Sequence, residues 1–473
     1  MSTTDGQIAA IIGGGVIGGG WAARFLLMGW DVVVFDPAPD AERKVSEVSA
    51  NARRSLPGLS EVALPDEGSI RFAATIGDAV QSADWVQESV PERLDLKHET
   101  LNEIQAACRP DAIVGSSTSG FKPSELQKGS HRPNQIIVAH PFNPVYLLPL
   151  VELVGDQTTV TSATDILTHI GMKPLHVRKE IDAHIADRLL EAVWREALWL
   201  VKDDIATTGE IDDAIRFGFG LRWAQMGLFD TYRVAGGEAG MSHFICQFGP
   251  ALQWPWTKLM DVPDLTPELV EKIATQSDNQ SAQYSVRELE RIRDDNLVAM
   301  MRALKARNWG VGSLLNELDG RMKPVAAPVA GQPITTIERS VPSDWTDYNG
   351  HMNESRYGQL LSDAADEIMQ LVGADADYVA AGNSYFTVDT NIQYLHETHA
   401  GERVTVKTTI REGFGKKLRL RHDIFSANGN HLAIGEQLLI HVSLETRRSS
   451  EPLPDVAAKV ASLATSHPFI PND

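Results

Sequence analysis

The chain has 473 residues, more than one ordinary domain uses, and its 43% apolar content is enough for several cores. With 43 Lys and Arg against 63 Asp and Glu, the net charge of −20 opposes binding to nucleic acid or to anionic membranes. Cys108 and Cys246 are the two cysteines, which excludes a disulfide framework and a cysteine-based metal cluster; no metal is expected, and a reducing cytoplasm fits. The opening "MSTTDGQ" lacks the basic flank of a signal peptide, and no run of about eighteen apolar residues follows, so a soluble protein is expected.

From Ile8 to about His176, short apolar runs alternate with helical stretches: "IAAII", "DVVVFD", "ADWVQESV", "AIVGS", "NQIIVAH", "LPLVELV" and "KPLHV". This alternation predicts an α/β, Rossmann-type parallel sheet covered by helices, assigned to residues 1–181. From Asp182 the apolar spacing becomes three and four, as in "IADRLLEAVWREALWLVKDD", and predicts an all-α domain over 182–322. Pro324, Pro328, Gly331 and Pro333 then mark a linker over 323–334. Residues 335–449 hold a helical stretch near Glu354 to Gly373 and alternating runs such as "RVTVKTTI", "KLRLRHDIF" and "HLAIGEQLLIHVSLET", an α+β module of antiparallel strands against one helix. Residues 450–473 read as a tail with a short polar helix and a loose end.

The first apolar run leads into "GGGVIG", which sets Gly13, Gly15 and Gly18 at GxGxxG spacing with Val16 and Ile17 inside the turn. Such a turn lets the backbone approach a pyrophosphate at a helix N-terminus. The next strand ends in Asp36, placed to accept hydrogen bonds from adenosine ribose hydroxyls; an acid there repels a 2′-phosphate, so NAD is expected rather than NADP.

In "AHPFNPVYLLPLVEL", His140 and Glu152 lie twelve positions apart. Removing a hydride from an alcohol carbon also requires a base near neutral pKa at the hydroxyl, and a carboxylate beside that base stabilises its cation. The residues alone leave a proton-handling pair and a satisfied core pair equally open. Ser119, in "SSTSG", is a candidate donor to the substrate oxygen.

The set "GGGVIG", "SVPERLDLKHE", "SSTSG" and "AHPFNPVYLLPLVELV" resembles the 3-hydroxyacyl-CoA dehydrogenase superfamily over residues 1–320. The resemblance implies His140 as catalytic base, Glu152 as its partner, Ser119 on the substrate oxygen, and Glu88 and Lys97 near the cofactor. Where the family has Asn before Arg, this chain has Asp187 before Arg188, and an ionised aspartate cannot donate a hydrogen bond. Three roles stay open for Asp187: facing a cationic substrate, holding Arg188, or capping a helix.

The helical block is dense in aromatic residues, most of them expected in a core and a few able to surround a quaternary ammonium. The stretch "FGFGLRWAQMGLFDTYRVAGGEAGM" is similar to the carnitine 3-dehydrogenase branch of the superfamily, which implies oxidation of L-carnitine to 3-dehydrocarnitine. Phe142, Phe219, Trp223 and Tyr232 are candidates for the trimethylammonium end, and Arg222 for the carboxylate. A 3-hydroxyacyl-CoA, a gulonate-type acid, and a non-catalytic scaffold are the rival readings.

Beyond the linker, "SDWTDYNGHMNESRYGQLL" resembles the hot-dog thioesterases, with Asp347 as base or nucleophile and His351 and Asn353 as positioning groups. That family places its sites between two subunits, which implies at least a homodimer. A fused pair implies one pathway, with betainyl-CoA as the acyl-CoA. The rival is a module that only dimerises.

Overall fold

The computed structural model describes residues 6–235, 244–247, 257–258, 264, 266–281, 283–322 and 333–466. Residues 323–332 of the expected linker, residues 467–473 of the expected loose end, and Trp254 and Trp256 of the aromatic set lie outside the described residues. Two compact units form, one from Met1–Ala52 with Asp66–Asn316 and one from Arg53–Pro65 with Glu317–Asp473.

The first unit is built on a sheet of β1 (Ile8–Ile12), β2 (Asp31–Phe35), β3 (Ile70–Phe72), β4 (Trp85–Glu88), β5 (Ile113–Ser116), β6 (Ile136–Pro141), β7 (Leu150–Val154) and β8 (Lys173–His176). Their order is β3-β2-β1-β4-β5-β6-β7-β8. The central strands are apolar runs because both faces are covered: Ala9, Ala10, Ile11 and Ile12 are all buried. β3, only Ile-Arg-Phe, is too short to show a period in the sequence.

The sheet is not parallel throughout. β6 and β7 pair antiparallel, because residues 142–149 between them are too few for a parallel crossover of about a dozen residues. That reversal matters for function: it sets His140 directly opposite Glu152 in the ladder.

Helices at Ala186–Lys202, Thr208–Ala214, Gly220–Ala235, Pro267–Ser281 and Val286–Lys305 and the first half of Val311–Met322 complete this unit. Local rules start two of them: Thr207 with Glu210, and Ser285 with Glu288, form reciprocal capping boxes. A buried bond from the Tyr146 hydroxyl to Asp294 Oδ2, 2.5 Å, ties the segment after β6 to the helix Val286–Lys305.

In the second unit β9 (Ile334–Ser340), β10 (Asn383–Tyr394), β11 (Arg403–Phe414), β12 (Lys417–Ser426) and β13 (His431–Ser443) form an antiparallel sheet in the order β10-β13-β12-β11-β9. It curls around the helix Glu354–Val372, whose Leu360, Leu361, Ala364, Ile368 and Val372 are buried. Gly435 of β13 permits the close approach, since a Cβ there would fall 2.2 Å from Leu361 Cδ2. Gly373 ends the helix with φ +82°.

The helix Pro454–Ser466 differs from the expected polar tail. Its Val456 and Val460 are buried in the same core as Ile368 and Val372, so its apolar spacing serves packing. Among the described residues, no helix is long and apolar enough to cross a membrane.

Candidate active site

At the carboxyl end of β1, Gly13 has φ +103° and its N–H donates to the Phe35 carbonyl at 2.8 Å. A Cβ on Gly18 would sit 1.8 Å from the Gly13 carbonyl oxygen, so only glycine lets the helix Val16–Leu27 start this close to the strand. Gly15 caps that helix without a side-chain hydrogen bond, and a Cβ added to it would meet nothing within 4 Å. Uncapped N–H groups facing open space suit a pyrophosphate. Val16 is exposed at the same end, and Ile17 follows it in the first turn.

Asp36 stands just beyond β2. Its two oxygens accept the N–H groups of Gly14 at 2.6 Å and Ala38 at 2.7 Å, which fixes the carboxylate beside the glycine turn and leaves further lone pairs for ribose hydroxyls. These residues fit NAD. Glu88 and Lys97 are arranged differently: the Lys97 ammonium donates to both Glu88 oxygens at 2.9 and 3.1 Å, and both side chains are buried. Val90 N–H and the Ser116 hydroxyl also donate to Glu88. The pair therefore braces the end of β4 and offers no charge to solvent.

His140 is 4% exposed at the end of β6. Its Nδ1 lies 3.0 Å from Glu152 Oε2, while Nε2 lies 3.6 Å from Asp187 Oδ2. The other Glu152 oxygen accepts the N–H groups of Ile185 and Ala186 at 2.9 and 3.0 Å, at the start of the helix Ala186–Lys202. Those two amides are aimed by Ala183 and His184, whose φ values of +58° and +50° are left-handed. Such a conformation costs a non-glycine residue roughly 1–2 kcal/mol.

Burial would raise the Glu152 pKa, but the His140 hydrogen bond and the two amides outweigh it and hold the group below the ordinary carboxylate value. Among the described residues, Asp187 has no such donors. Burial and the neighbouring Glu152 charge raise its pKa against the pull of His140. An imidazole between an anchored carboxylate and a second acid can take a proton at Nε2 and hold it as a stabilised cation.

His184 was not foreseen. It is fully buried, its ring lies 5.6 Å from that of His140, and its Nε2 contacts the Thr118 carbonyl at 3.3 Å. Burial and His140 lower its pKa. The signal in the sequence was a histidine two residues before a helix start, which is weak alone.

Phe142 packs edge-on against His140 at 4.9 Å, so the structure brings these two together. Ser119 is exposed three residues after β5. Of the other substrate candidates, Phe219 lies 4.6 Å from Trp223, and Tyr232 stacks on Phe244 at 4.6 Å. Neither pair includes His140 or Phe142. Arg222 is exposed on the same helix, and residues 236–243 of that stretch lie outside the described residues.

In the second unit, Asp347 Oδ1 accepts the N–H groups of Asn349 and His351 at 2.8 and 3.3 Å, closing the "DYNG" turn on itself. The carboxylate is half-buried. Asn353 caps the helix Glu354–Val372 by accepting the Ser355 N–H at 3.0 Å. His351 lies between, 3.5 Å through Nε2 from Glu397.

Comparison with known proteins agrees with this division. Residues 8–181 match the NAD binding domain of 3-hydroxyacyl-CoA dehydrogenase, residues 184–276 its C-terminal domain, and residues 341–460 the thioesterase-like superfamily. A Ruegeria pomeroyi protein named L-carnitine dehydrogenase/betainyl-CoA thioesterase is 63% identical over 465 residues, spanning 96% of this chain and 95% of its own. The protein of Mesorhizobium japonicum named L-carnitine dehydrogenase is 60% identical over 328 residues, 67% of this chain and 90% of its own. Among solved structures, an NAD+ dependent dismutase, FHMPC 5-dehydrogenase, is 28% identical with a TM-score of 0.53, over 63% of this chain and 98% of its own. An oxidoreductase part with an NAD-binding domain is thus joined to a thioesterase-like part, and the chain belongs to the L-carnitine dehydrogenase/betainyl-CoA thioesterase family.

Proposed function

We propose that this chain oxidises L-carnitine to 3-dehydrocarnitine with NAD and, in its second unit, hydrolyses betainyl-CoA to betaine. The observation that carries the first half is the His140 ring held between Glu152 and Asp187. Carnitine bears its quaternary nitrogen one carbon away from the carbinol carbon. A hydroxyl resting on His140 Nε2 brings that cation toward the Asp187 carboxylate, where an asparagine would offer no charge.

His140 takes the hydroxyl proton at Nε2, and Glu152 stabilises the resulting imidazolium. NAD, when bound, accepts the hydride. Phe142 presents a ring to the methyl groups beside the reacting carbon, and Ser119 donates to the substrate oxygen. Burial raises the Asp187 pKa, and a bound substrate cation favours its ionised form.

In the second unit, Asp347 is the group that activates water or attacks the thioester, with His351 and Asn353 holding its loop. The N-terminus of the helix Glu354–Val372 supports charge on the carbonyl oxygen. Asp347 is half-exposed within one chain, and β10 is a long edge strand with exposed Phe386, Val388 and Tyr394. Leu189, Leu190 and Trp194 are exposed on the helix Ala186–Lys202. Both surfaces favour a homodimer, and two reduced cysteines favour the cytoplasm. Functional boundaries at 1–181, 182–322 and 335–449 complete the reading.

One assay tests it: the full-length protein with L-carnitine, a 3-hydroxyacyl-CoA and gulonate, following NADH, and with betainyl-CoA, following free thiol. NADH with carnitine and thiol from betainyl-CoA are expected. Preference for a 3-hydroxyacyl-CoA overturns the first assignment, and thiol release unaffected by Asp347→Ala overturns the second.

A further inference from the structure

Beside the Asp347 turn, His351, Glu397 and His399 converge, with one ligand atom from each lying within 4.8 Å of the others. They come from two loops clamped by backbone: His351 and His399 form an antiparallel bridge, and Met352 N–H donates to the Thr398 carbonyl at 2.8 Å. The two imidazoles meet edge-on with centroids 4.8 Å apart, and His351 Nε2 lies 3.5 Å from Glu397 Oε2.

His399 Nδ1 lies 3.1 Å from the Gly350 carbonyl. A carbonyl can only accept, so Nδ1 carries a proton, and in the neutral ring Nε2 keeps its lone pair. Fixing one ring nitrogen on a backbone carbonyl to present the other is the usual support of a metal-bound histidine.

We propose that His351, Glu397 and His399 form a binding site for a divalent transition metal of the zinc class. Two imidazoles and one carboxylate suit zinc, cobalt or nickel rather than magnesium or calcium, which require oxygen ligands. Ligand atoms about 3.3–3.4 Å apart are needed around a tetrahedral ion at about 2.0–2.1 Å. The His351 to Glu397 separation of 3.5 Å is close to this, and since all three ligand atoms lie within 4.8 Å of one another, small adjustments of the partly exposed side chains close the remainder. Three ligands leave a coordination position for water.

The ion has a consequence that rests on the thioesterase reading of Asp347. The His351 N–H donates to Asp347 Oδ1 at 3.3 Å and its carbonyl accepts the Asp347 N–H at 2.9 Å, so an ion on the His351 ring locks the loop that carries the acid. Metal then slows thioester hydrolysis while NADH formation continues.

The test is titration of the full-length protein, freed of metal by chelator, with Zn2+ and with Co2+ as a spectroscopic probe. One site per chain is expected, weakened at least tenfold in His399→Ala and in Glu397→Gln and unaffected by excess Mg2+. Equal affinity in wild type and both variants overturns the site. Zn2+ is expected to inhibit betainyl-CoA hydrolysis in wild type, reversibly with chelator, and not in His399→Ala. Equal inhibition in that variant overturns the coupling. A metal-free wild type without hydrolysis counts against the Asp347 reading alone, because the titration still decides the site.

Discussion

The two acids proposed for chemistry lie in contrasting surroundings. Glu152 is wholly buried, set opposite His140 by strand register and held by two helix-start amides. Asp347 lies half-exposed in a turn that its own carboxylate closes. The lesson is that a buried carboxylate must be fully supplied with donors to stay ionised, whereas an exposed one is kept ionised by water and needs a neighbour to exclude that water before it can react. Within one chain, the first unit buries its base and the second leaves its acid half-exposed.

The contrast is broken most severely by removing the base. His140→Gln should lower NADH formation by about 10²–10⁴-fold while thioester hydrolysis is unchanged, read by running both assays on one preparation. Parallel loss of both activities would show that the two sites do not function separately.

Glu152→Gln is expected to cost roughly a hundredfold in turnover, since the imidazolium loses its counter-charge. It also carries a pH signature. The native Glu152 pKa lies below its ordinary value, so the ionised group stabilises the fold fully above that ordinary value, and the contribution is lost as pH falls through the native one. Denaturation of wild type and variant across acid pH should show a shallower loss in Glu152→Gln.

Asp187→Asn sharpens the comparison, because this acid is half-buried and, among the described residues, lacks the donors Glu152 enjoys. Its KM for carnitine should rise about tenfold, the equivalent of roughly 1.4 kcal/mol. Its pKa is raised, so the ionised form costs stability above the native pKa, and the variant should be at least as stable as wild type near neutrality. Carnitine titration and thermal melts at pH 7.5 check both halves.

In the second unit, Gly435→Ala pushes a Cβ into the buried Leu361 side chain and should cost about 1–3 kcal/mol by denaturant titration. Carnitine oxidation should persist. His422, fully buried against Thr408 and Gln437, has its pKa pushed down to about 4. Its native pKa lies below the ordinary value of 6.5, so it favours the fold above pH 6.5, and this is lost as pH falls from 6.5 through about 4. The protection of the β11–β13 amides against hydrogen exchange, taken relative to the intrinsic rate at each pH, should fall over that window.

The glycine turn with Asp36 and the three-part change of pattern along the chain were legible in the amino-acid order, because each depends on local spacing or on a motif contained in a few residues, and His140 and Glu152 were legible as candidates for a pair. The helix Pro454–Ser466 was not: its few apolar residues gain meaning only from the core they enter.

Sequence by itself determined which groups could carry charge or turn the chain. Only the tertiary structure decided which of them meet: the reversal at β7 that pairs His140 with Glu152, the left-handed Ala183 and His184 that aim two amides, and the placing of Asp187 on the opposite side of the ring. It likewise turned Lys97 inward onto Glu88 and brought His351 to His399. The reason is physical. Burial and through-space charge act over a few ångströms regardless of separation along the chain, and a one-dimensional string does not record those distances.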